Sequence, residues 1–185
     1  SATMMYGHVE SDNDIAEHFS KIVELQKKTN GFMAFIPWSF EPNNTLMQKD
    51  GTVRYGAGGT QLLKMIAISR LVFNGLIDHI QSSWLTNGVG MAQLALQYGA
   101  DDFGGTLINE SISTAAGSEH GQLLKPKEIR HLARDIGRVP AERNTTYNIL
   151  KTFEKEPTIV ESLDEMSDTK KFGSYFELIK INKFK

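Results

Sequence analysis

The chain has 185 residues, a formal net charge of −2, 40% hydrophobic residues and 23% charged residues, which is typical of one globular domain and lacks the basic excess of nucleic-acid binding proteins. It contains no cysteine, which excludes disulfides and thiolate-bound metals or clusters within this chain. No apolar stretch approaches the ~20 residues that cross a bilayer, so we expect a cytoplasmic protein without nucleic-acid or membrane partners.

Four short apolar segments are predicted as strands, and each precedes a segment with helical periodicity. The strands are expected at 2–7, 32–37, 80–86 and 102–108, and the helices at 14–28, 60–74, 89–98 and 127–136. This alternation predicts an α/β protein with a parallel sheet, either doubly wound or part of a (βα)8 barrel. Four such units would make half of a barrel.

Residues 1–137 are interpreted as one domain, and residues 138–185 as a C-terminal extension. In the extension, Asn144 and Thr145 predict the start of a short helix that reaches Phe153. One more helix and a terminal strand over 175–181 are expected further along.

The segment "ATMMYGHVE" contains the first strand and the residues that follow it. Thr3, Met5 and Gly7 alternate onto one face, where small residues would let a flat ligand approach the backbone. Glu10 is placed to cap backbone N–H groups or to accept from a ligand.

Tyr6 and His8 lie at the end of the same strand, which is where the catalytic residues of a barrel are found. Packing and rim positions are the alternative for both. None of the five histidines belongs to a set with metal-ligand spacing, so no metal site is predicted.

Later strand ends carry rigid apolar groups, amides and hydroxyls that suit a planar or sugar-bearing ligand. In "FIPWSFEPNNT" these are Trp38, Phe40, Asn44 and Thr45, with a buried proline-stiffened loop as the alternative. In "QSSWLTNG" and "DDFGGTLINE" they are Ser83, Trp84, Thr86, Thr106 and Glu110. Asp101 and Asp102 come at the start of the fourth strand, where a structural role is expected.

Taken together, "ATMMYGHVE", "GFMAFIPWSFEPNNT", "QSSWLTNG" and "GADDFGGT" resemble the second half of the radical S-adenosylmethionine (SAM) enzymes of menaquinone and deazaflavin biosynthesis. The Trp after Pro37 and the string "QSSWLT" most resemble cyclic dehypoxanthine futalosine synthase. The sequence departs from the pattern at Thr3, where glycine is common, and at Val89-Gly90, where Pro-Lys is common. The resemblance implies units five to eight of a (βα)8 barrel plus a C-terminal extension.

The resemblance also implies SAM and a [4Fe–4S] cluster whose CxxxCxxC ligands lie outside this chain. The intact enzyme would cyclise dehypoxanthine futalosine, with His8 or Glu110 as the base, whereas this chain alone would be inactive. The residues implied at the SAM site are Thr3, Met5, Gly7 and Glu10. The residues implied at the substrate are Tyr6, Trp38, Phe40, Asn44, Thr45, Ser83, Trp84, Thr86 and Thr106. The missing half of the barrel, or a homodimer that completes it, is the expected partner.

Two alternatives stay open at this point. One is another reaction of the same group, that of aminofutalosine synthase or of a deazaflavin (FO) synthase subunit. The other is a non-catalytic half-barrel that binds a small molecule.

Overall fold

The computed structural model describes residues 1–107, 112–115, 120 and 123–158, without the side chains of residues 114 and 115. In chain order the elements are β1 (Ala2–Tyr6), α1 (Asp12–Thr29), β2 (Ala34–Ser39), α2 (Leu46–Lys49), α3 (Gly59–Val72), β3 (His79–Ile80), α4 (Trp84–Asn87), α5 (Val89–Ala95), α6 (Ile112–Ala115), α7 (Pro126–Asp135), β4 (Ala141–Arg143) and β5 (Ile149–Thr152). The predicted terminal strand over 175–181 lies outside the described residues.

Three parallel strands form the central sheet in the order β1-β2-β3. In the register, Ala2 lies opposite Phe35, and Phe35 lies opposite Ile80 on the other side. The fourth strand predicted over 102–108 is wrong for the described residues 102–107, which form only a single parallel bridge from Asp102 to Gln81. The predicted α/β class is therefore confirmed, with neighbouring strands in chain order, whereas the closure of these strands into half a barrel stays a prediction.

The first helix, α1, has strong signals at both of its ends. The Ser11 hydroxyl accepts from the Asp14 amide at 3.3 Å, and the Asp14 carboxylate accepts from the Ser11 amide at 2.8 Å. This reciprocal capping box satisfies two N–H groups that a helix start otherwise leaves unpaired. Asn30 ends the helix in a left-handed conformation, with φ of 48°.

One face of the sheet forms the core of the protein together with α1 and α3. The buried residues of this core are Ala2, Met4, Tyr6, Phe19, Ile22, Phe35, Met65, Phe73 and Ile77. The rings of Phe19, Phe35 and Phe73 contact one another in tilted pairs, with centroids 4.8 to 5.7 Å apart. That geometry suits the quadrupoles of the rings, which disfavour direct face-to-face stacking.

The opposite face of β1 is open to solvent. Ala2, Met4 and Tyr6 are buried, whereas Thr3 and Met5 between them are exposed. This alternation follows from the two-residue period of a strand. The predicted common face of Thr3 and Met5 is confirmed, and the described residues leave it uncovered.

The third strand is shorter than predicted. It ends after Ile80 and the bridge at Gln81, and the residues predicted to continue it form α4 instead. Ser83 precedes this helix in an extended conformation, and Gly88 follows it with φ of 78°. The positive φ of Gly88 ends this helix, and the Asn87 side chain holds its first turn by donating to the Ser83 carbonyl at 3.0 Å.

The helix predicted from Asn144 to Phe153 is wrong, because this segment forms a β-hairpin. β4 and β5 pair antiparallel, and the turn is built on Asn144. The Asn144 side-chain oxygen accepts from the amides of Thr146 at 3.0 Å and Asn148 at 2.9 Å. An asparagine that bonds the backbone ahead of it stabilises a turn as readily as a helix start.

The described residues fall into two compact units. The first comprises 1–104, 113–115 and 120, and the second comprises 105–107, 112 and 123–158. In the second unit, Glu156 accepts from Arg130 at 2.8 Å and also from Arg134, which ties α7 to the segment after β5. α7 thus belongs with the hairpin, while the domain boundary after residue 137 stays a prediction.

Among the described residues, no helix is long and apolar enough to cross a membrane.

Candidate functional site

The loop after β1 is shaped by a close backbone approach. Gly7 has φ of 87°, and a Cβ on it would lie 2.7 Å from the Ala57 amide nitrogen. Only glycine combines this conformation with this contact. Gly7 therefore serves the packing of the β1 loop on the segment before α3, and Ala57 occupies the space that a ligand would need there.

The Glu10 side chain caps backbone amides of the same loop. Its carboxylate accepts from the Gly7 amide at 2.5 Å and from the His8 amide at 2.9 Å. Burial raises the pKa of Glu10, but the amides of Gly7 and His8 and the nearby His8 ring outweigh burial and hold this pKa below its ordinary value. The capping role predicted for Glu10 is confirmed, and its carboxylate is a fixed negative charge at the strand end.

His8 is held by the same loop. Its Nδ1 atom accepts from the Val9 amide at 2.8 Å and lies 3.2 Å from Glu10 Oε2. Its ring stands edge-on to the ring of Phe40, at 5.7 Å and 81°. Both polar contacts engage Nδ1, so Nε2 is the ring nitrogen that remains for a ligand.

Two predicted ligand-binding side chains share the open face of the sheet. Met5 lies opposite Trp38 in the register of β1 and β2. Met5 is 53% exposed and Trp38 is 46% exposed, which is high for large apolar side chains in a parallel sheet. With Thr3, they form an accessible apolar wall.

Other predicted contacts lie inside the protein. Tyr6 and Trp84 are 0% and 1% exposed, and Ser83 is buried at the start of α4. Burial, and then the charge of Glu10, raise the pKa of Tyr6 far above its usual range. Packing, the alternative considered for Tyr6, is what the structure shows, and Trp84 has the same role.

Asn44 and Thr45 form the turn into α2. The Thr45 hydroxyl donates to the Pro42 carbonyl at 2.6 Å and accepts from the Gln48 amide at 3.2 Å. Asn44 has φ of 61°. These contacts support the proline-stiffened loop that was the alternative for this segment.

A cleft of about 300 Å³ opens at the end of β2 and includes two of the predicted residues, Phe40 and Thr86. Residues that the sequence analysis did not single out also line it: Ser39, Glu41, Arg54, Tyr55, Asn87 and His120. Arg54 and Glu41 bring opposite charges to the same cleft. Arg54 and Glu41 both lie in segments where polar and aromatic residues are frequent. Their charge did not single them out in the sequence, because a charged residue in such a segment can equally well be solvated.

Asn87 connects the end of β2 to α4 across this cleft. The Ser39 hydroxyl is 2.9 Å from Asn87 Oδ1, and Asn87 Nδ2 donates to the Ser83 carbonyl and to the Thr86 hydroxyl oxygen, each at 3.0 Å. The serine cap, the threonine and the asparagine are all in the string "QSSWLTNG". The positions of Ser83 and Thr86 at a strand end were predicted, but the asparagine that orders them was missed.

Two predicted residues remain, Thr106 and Glu110. Thr106 belongs to the second unit, where its carbonyl accepts from the Leu124 amide at 3.0 Å. Glu110 lies outside the described residues. In the part of the chain that the structure describes, no three His, Cys, Asp or Glu side chains are grouped to hold a metal ion.

Asp101 and Asp102, at the start of the predicted strand over 102–108, have structural roles, as expected. Asp101 accepts from Arg70 at 2.8 Å, from the Ile80 amide at 2.7 Å, and pairs with His79 at 2.7 Å. The Asp102 carboxylate accepts from the Gly104 amide at 2.7 Å. These bonds tie α3 and β3 to the segment that begins at Asp101.

Comparison with known proteins gives one family match. A family model described as the CofH/MqnC C-terminal region matches residues 29–181.

Curated relatives match about four fifths of the chain. The protein of Methanocaldococcus jannaschii is 47% identical over 151 residues, which are 82% of this chain and 42% of the relative. Those of Methanoculleus marisnigri and Methanothermobacter thermautotrophicus are 47% and 46% identical, over 81% and 80% of this chain and 41% and 40% of theirs. All three are named 5-amino-6-(D-ribitylamino)uracil–L-tyrosine 4-hydroxyphenyl transferase. The chain spans about two fifths of the length of these relatives.

Proposed function

Because the chain belongs to the CofH/MqnC C-terminal region family, we propose that it is part of an enzyme that transfers a 4-hydroxyphenyl group from L-tyrosine to 5-amino-6-(D-ribitylamino)uracil. The observation that carries this proposal is the 47% identity, over 82% of the chain, to a transferase of that name. It favours the deazaflavin-synthase alternative over the cyclase that the motifs favoured.

Cyclisation of dehypoxanthine futalosine is the second candidate. The tryptophan after Pro37 and the string "QSSWLT" are the features that favour it. Trp38 is exposed beside Met5 and is available to contact a ligand, whereas Trp84 of that string is buried and acts through packing. Of these two tryptophans, Trp38 is therefore the one that would contact the substrate of a cyclase.

Three features of the sheet support the proposal that it is part of a larger barrel. Its parallel strands follow one another in chain order, α1 and α3 cover one face, and the other face carries the exposed Met5 and Trp38. A barrel buries such a face on the side chains of its other strands. We propose that a complementary half-barrel, from the same enzyme or from a second copy, covers this face and the free edge of β1.

The resemblance implies two cofactors, and the residues fit them differently. The chain has no cysteine, so its residues do not fit a [4Fe–4S] cluster. Thr3 and Met5 are exposed and leave room for a flat group such as the adenine of SAM. When bound in the complete enzyme, SAM would supply a hydrogen-abstracting radical. Gly7 and Glu10 would serve it indirectly, by fixing the loop beside it.

The chain's own residues would orient the substrate and exclude water. Phe40 and Trp38 supply apolar walls, and Thr86 supplies a hydroxyl in the cleft. His8 has its Nδ1 held by the loop and its Nε2 left for the substrate, and its role as the base stays a proposal. The predicted base Glu110 stays a proposal.

A chimera tests the proposed function. The matched segment of the Methanocaldococcus jannaschii relative is replaced by the 151 residues of this chain that align with it, and the chimera is assayed with SAM, reductant and either substrate set. We expect transfer from tyrosine to the ribitylaminouracil and no cyclisation of dehypoxanthine futalosine. This chain alone is the negative control, because it has no ligands for a cluster. A folded chimera that cyclises futalosine, or performs neither reaction, would contradict the proposal.

A further inference from the structure

The hydrogen bonds of Asn87 fix its amide orientation. The Ser83 carbonyl can only accept, so the Asn87 nitrogen must face it and the Asn87 oxygen must face Ser39. The Ser39 hydroxyl therefore donates to Asn87. The second hydrogen of the Asn87 amide points to Thr86 Oγ1, at 3.0 Å.

This arrangement decides what Thr86 can do. Its hydroxyl oxygen accepts from Asn87, which leaves the hydroxyl hydrogen as the group it can offer. Among the described residues, no acceptor takes that hydrogen, and Thr86 lines the cleft. The cleft therefore presents an oriented hydroxyl donor whose natural partner is an anion or a carbonyl oxygen.

Two charged side chains share the cleft with Thr86. Arg54 is exposed, and no carboxylate of the described residues lies within ion-pair distance of its guanidinium. Glu41 is half-buried, and its one described hydrogen bond is a long one, 3.4 Å from the Asn43 amide. Each charge thus has unused hydrogen-bonding capacity, and the two have opposite sign.

We propose that this cleft binds the zwitterionic end of an α-amino acid. The carboxylate would be bound by Arg54 and the Thr86 hydroxyl, and the ammonium group by Glu41. The inference rests on the proposed function, in which tyrosine is a substrate, and it assigns the part of the protein that recognises it. The cleft volume of about 300 Å³ lies at the low end for ligand sites, which suits an amino acid better than a nucleoside. Phe40 and Met91 provide the apolar wall that the side chain of such a ligand needs.

The test is ligand binding to the 185-residue chain, measured by saturation-transfer NMR and titration. L-tyrosine is compared with tyramine, which lacks the carboxylate, and with 3-(4-hydroxyphenyl)propanoate, which lacks the ammonium group. We expect each analogue to bind at least about tenfold more weakly than tyrosine, since each loses a charge-assisted contact. SAM is a fourth ligand, because its methionine end is also an α-amino acid.

Variants assign the two charges separately. Arg54→Gln should abolish the preference for tyrosine over tyramine, and Glu41→Gln should abolish the preference over the propanoate. Thr86→Val should weaken tyrosine binding, while Lys28→Gln, an exposed charge on α1, should leave it unchanged. If SAM rather than tyrosine shows this dependence, the zwitterion site is supported and its occupant is the methionine end of SAM.

Equal binding of tyrosine and both analogues would overturn the inference, as would the absence of saturable binding of tyrosine and SAM to a chain whose NMR spectrum shows it folded. Binding does not require turnover, so the two proposals fail in different ways. Tyrosine binding without transfer in the chimera would refute the proposed function alone. Transfer that is indifferent to Arg54→Gln and Glu41→Gln would refute the amino-acid subsite alone.

Discussion

Gly7 lies so close to Ala57 that a Cβ atom on Gly7 would stand 2.7 Å from the Ala57 nitrogen and 2.8 Å from the Ala57 Cβ. Gly7→Ala should therefore lower the free energy of unfolding by about 2–4 kcal/mol, from the positive φ and the overlap together. Chemical denaturation measures this loss. Gly90→Ala is the matched control, because nothing lies within 4 Å of a Cβ there and the residue is inside α5. Gly90→Ala should raise the free energy of unfolding by about 0.5–1 kcal/mol. Equal effects of the two substitutions would contradict the prediction.

Gln26 is a buried amide whose hydrogen bonds join three segments. Its nitrogen donates to the carbonyls of Phe32 at 3.0 Å and Leu76 at 2.7 Å, and its oxygen accepts from the Phe32 amide at 2.8 Å. Gln26→Leu should cost at least about 2 kcal/mol, because it leaves these backbone groups buried and unpaired. The exposed Gln61 on α3 provides the control, and Gln61→Leu should change stability by less than about 0.5 kcal/mol.

Glu10 makes stability depend on pH in the acid range. Its pKa is lower in the folded protein than in the unfolded chain, so its charge stabilises the fold above the ordinary glutamate value of 4.5. That contribution is lost as the pH falls through the depressed folded pKa. At pH 7, Glu10→Gln should destabilise by on the order of 1 kcal/mol, and the difference from wild type should shrink below pH 4.5. Glu24→Gln, on the exposed side of α1, is the control, and its stability relative to wild type should not change in this way. A difference in stability between Glu10→Gln and wild type that stays constant with pH would contradict the prediction.

The two tryptophans report on the open sheet face and on the buried interior. Trp38 is 46% exposed and Trp84 is 1% exposed. In Trp38→Phe, the remaining fluorescence should be blue-shifted and resistant to acrylamide, whereas in Trp84→Phe it should be strongly quenched. Adding the complementary segment of the Methanocaldococcus jannaschii relative should protect Trp38 from quenching. If Trp38 stays equally accessible in a demonstrated complex, the complement does not cover the open sheet face.

The alternation of strands and helices could be predicted from the sequence, because each signal is local. The apolar period of α1 and the glycine and asparagine at its end are contained in about twenty residues, and the helix has nearly the predicted bounds. It was harder to predict which face of β1 lies in the core, since Met4 and Met5 are equally apolar. The choice between them is made by the aromatic cluster of Phe19, Phe35 and Phe73, which is assembled from distant segments.

The candidate site was predicted only in part for the same reason. Strand-end positions identified Phe40 and Thr86, which do line the cleft. Arg54 reaches it from a long loop, and its place there depends on the contacts that Gly56 and Ala57 make with the ends of β1 and β2. No local pattern encodes that approach. Tyr6 was assigned to a ligand because it lies at the end of the strand, but the alternation of β1 places its ring in the core.

Transfer of isotope-labelled tyrosine is the most direct test of the central claim, that this chain forms part of a 4-hydroxyphenyl transferase. The chimera is incubated with ring-¹³C₆ tyrosine and 5-amino-6-(D-ribitylamino)uracil, and the products are analysed by mass spectrometry. We expect a product in which the labelled ring is joined to the ribitylaminouracil. A folded chimera that leaves the label in tyrosine and converts dehypoxanthine futalosine instead would contradict it.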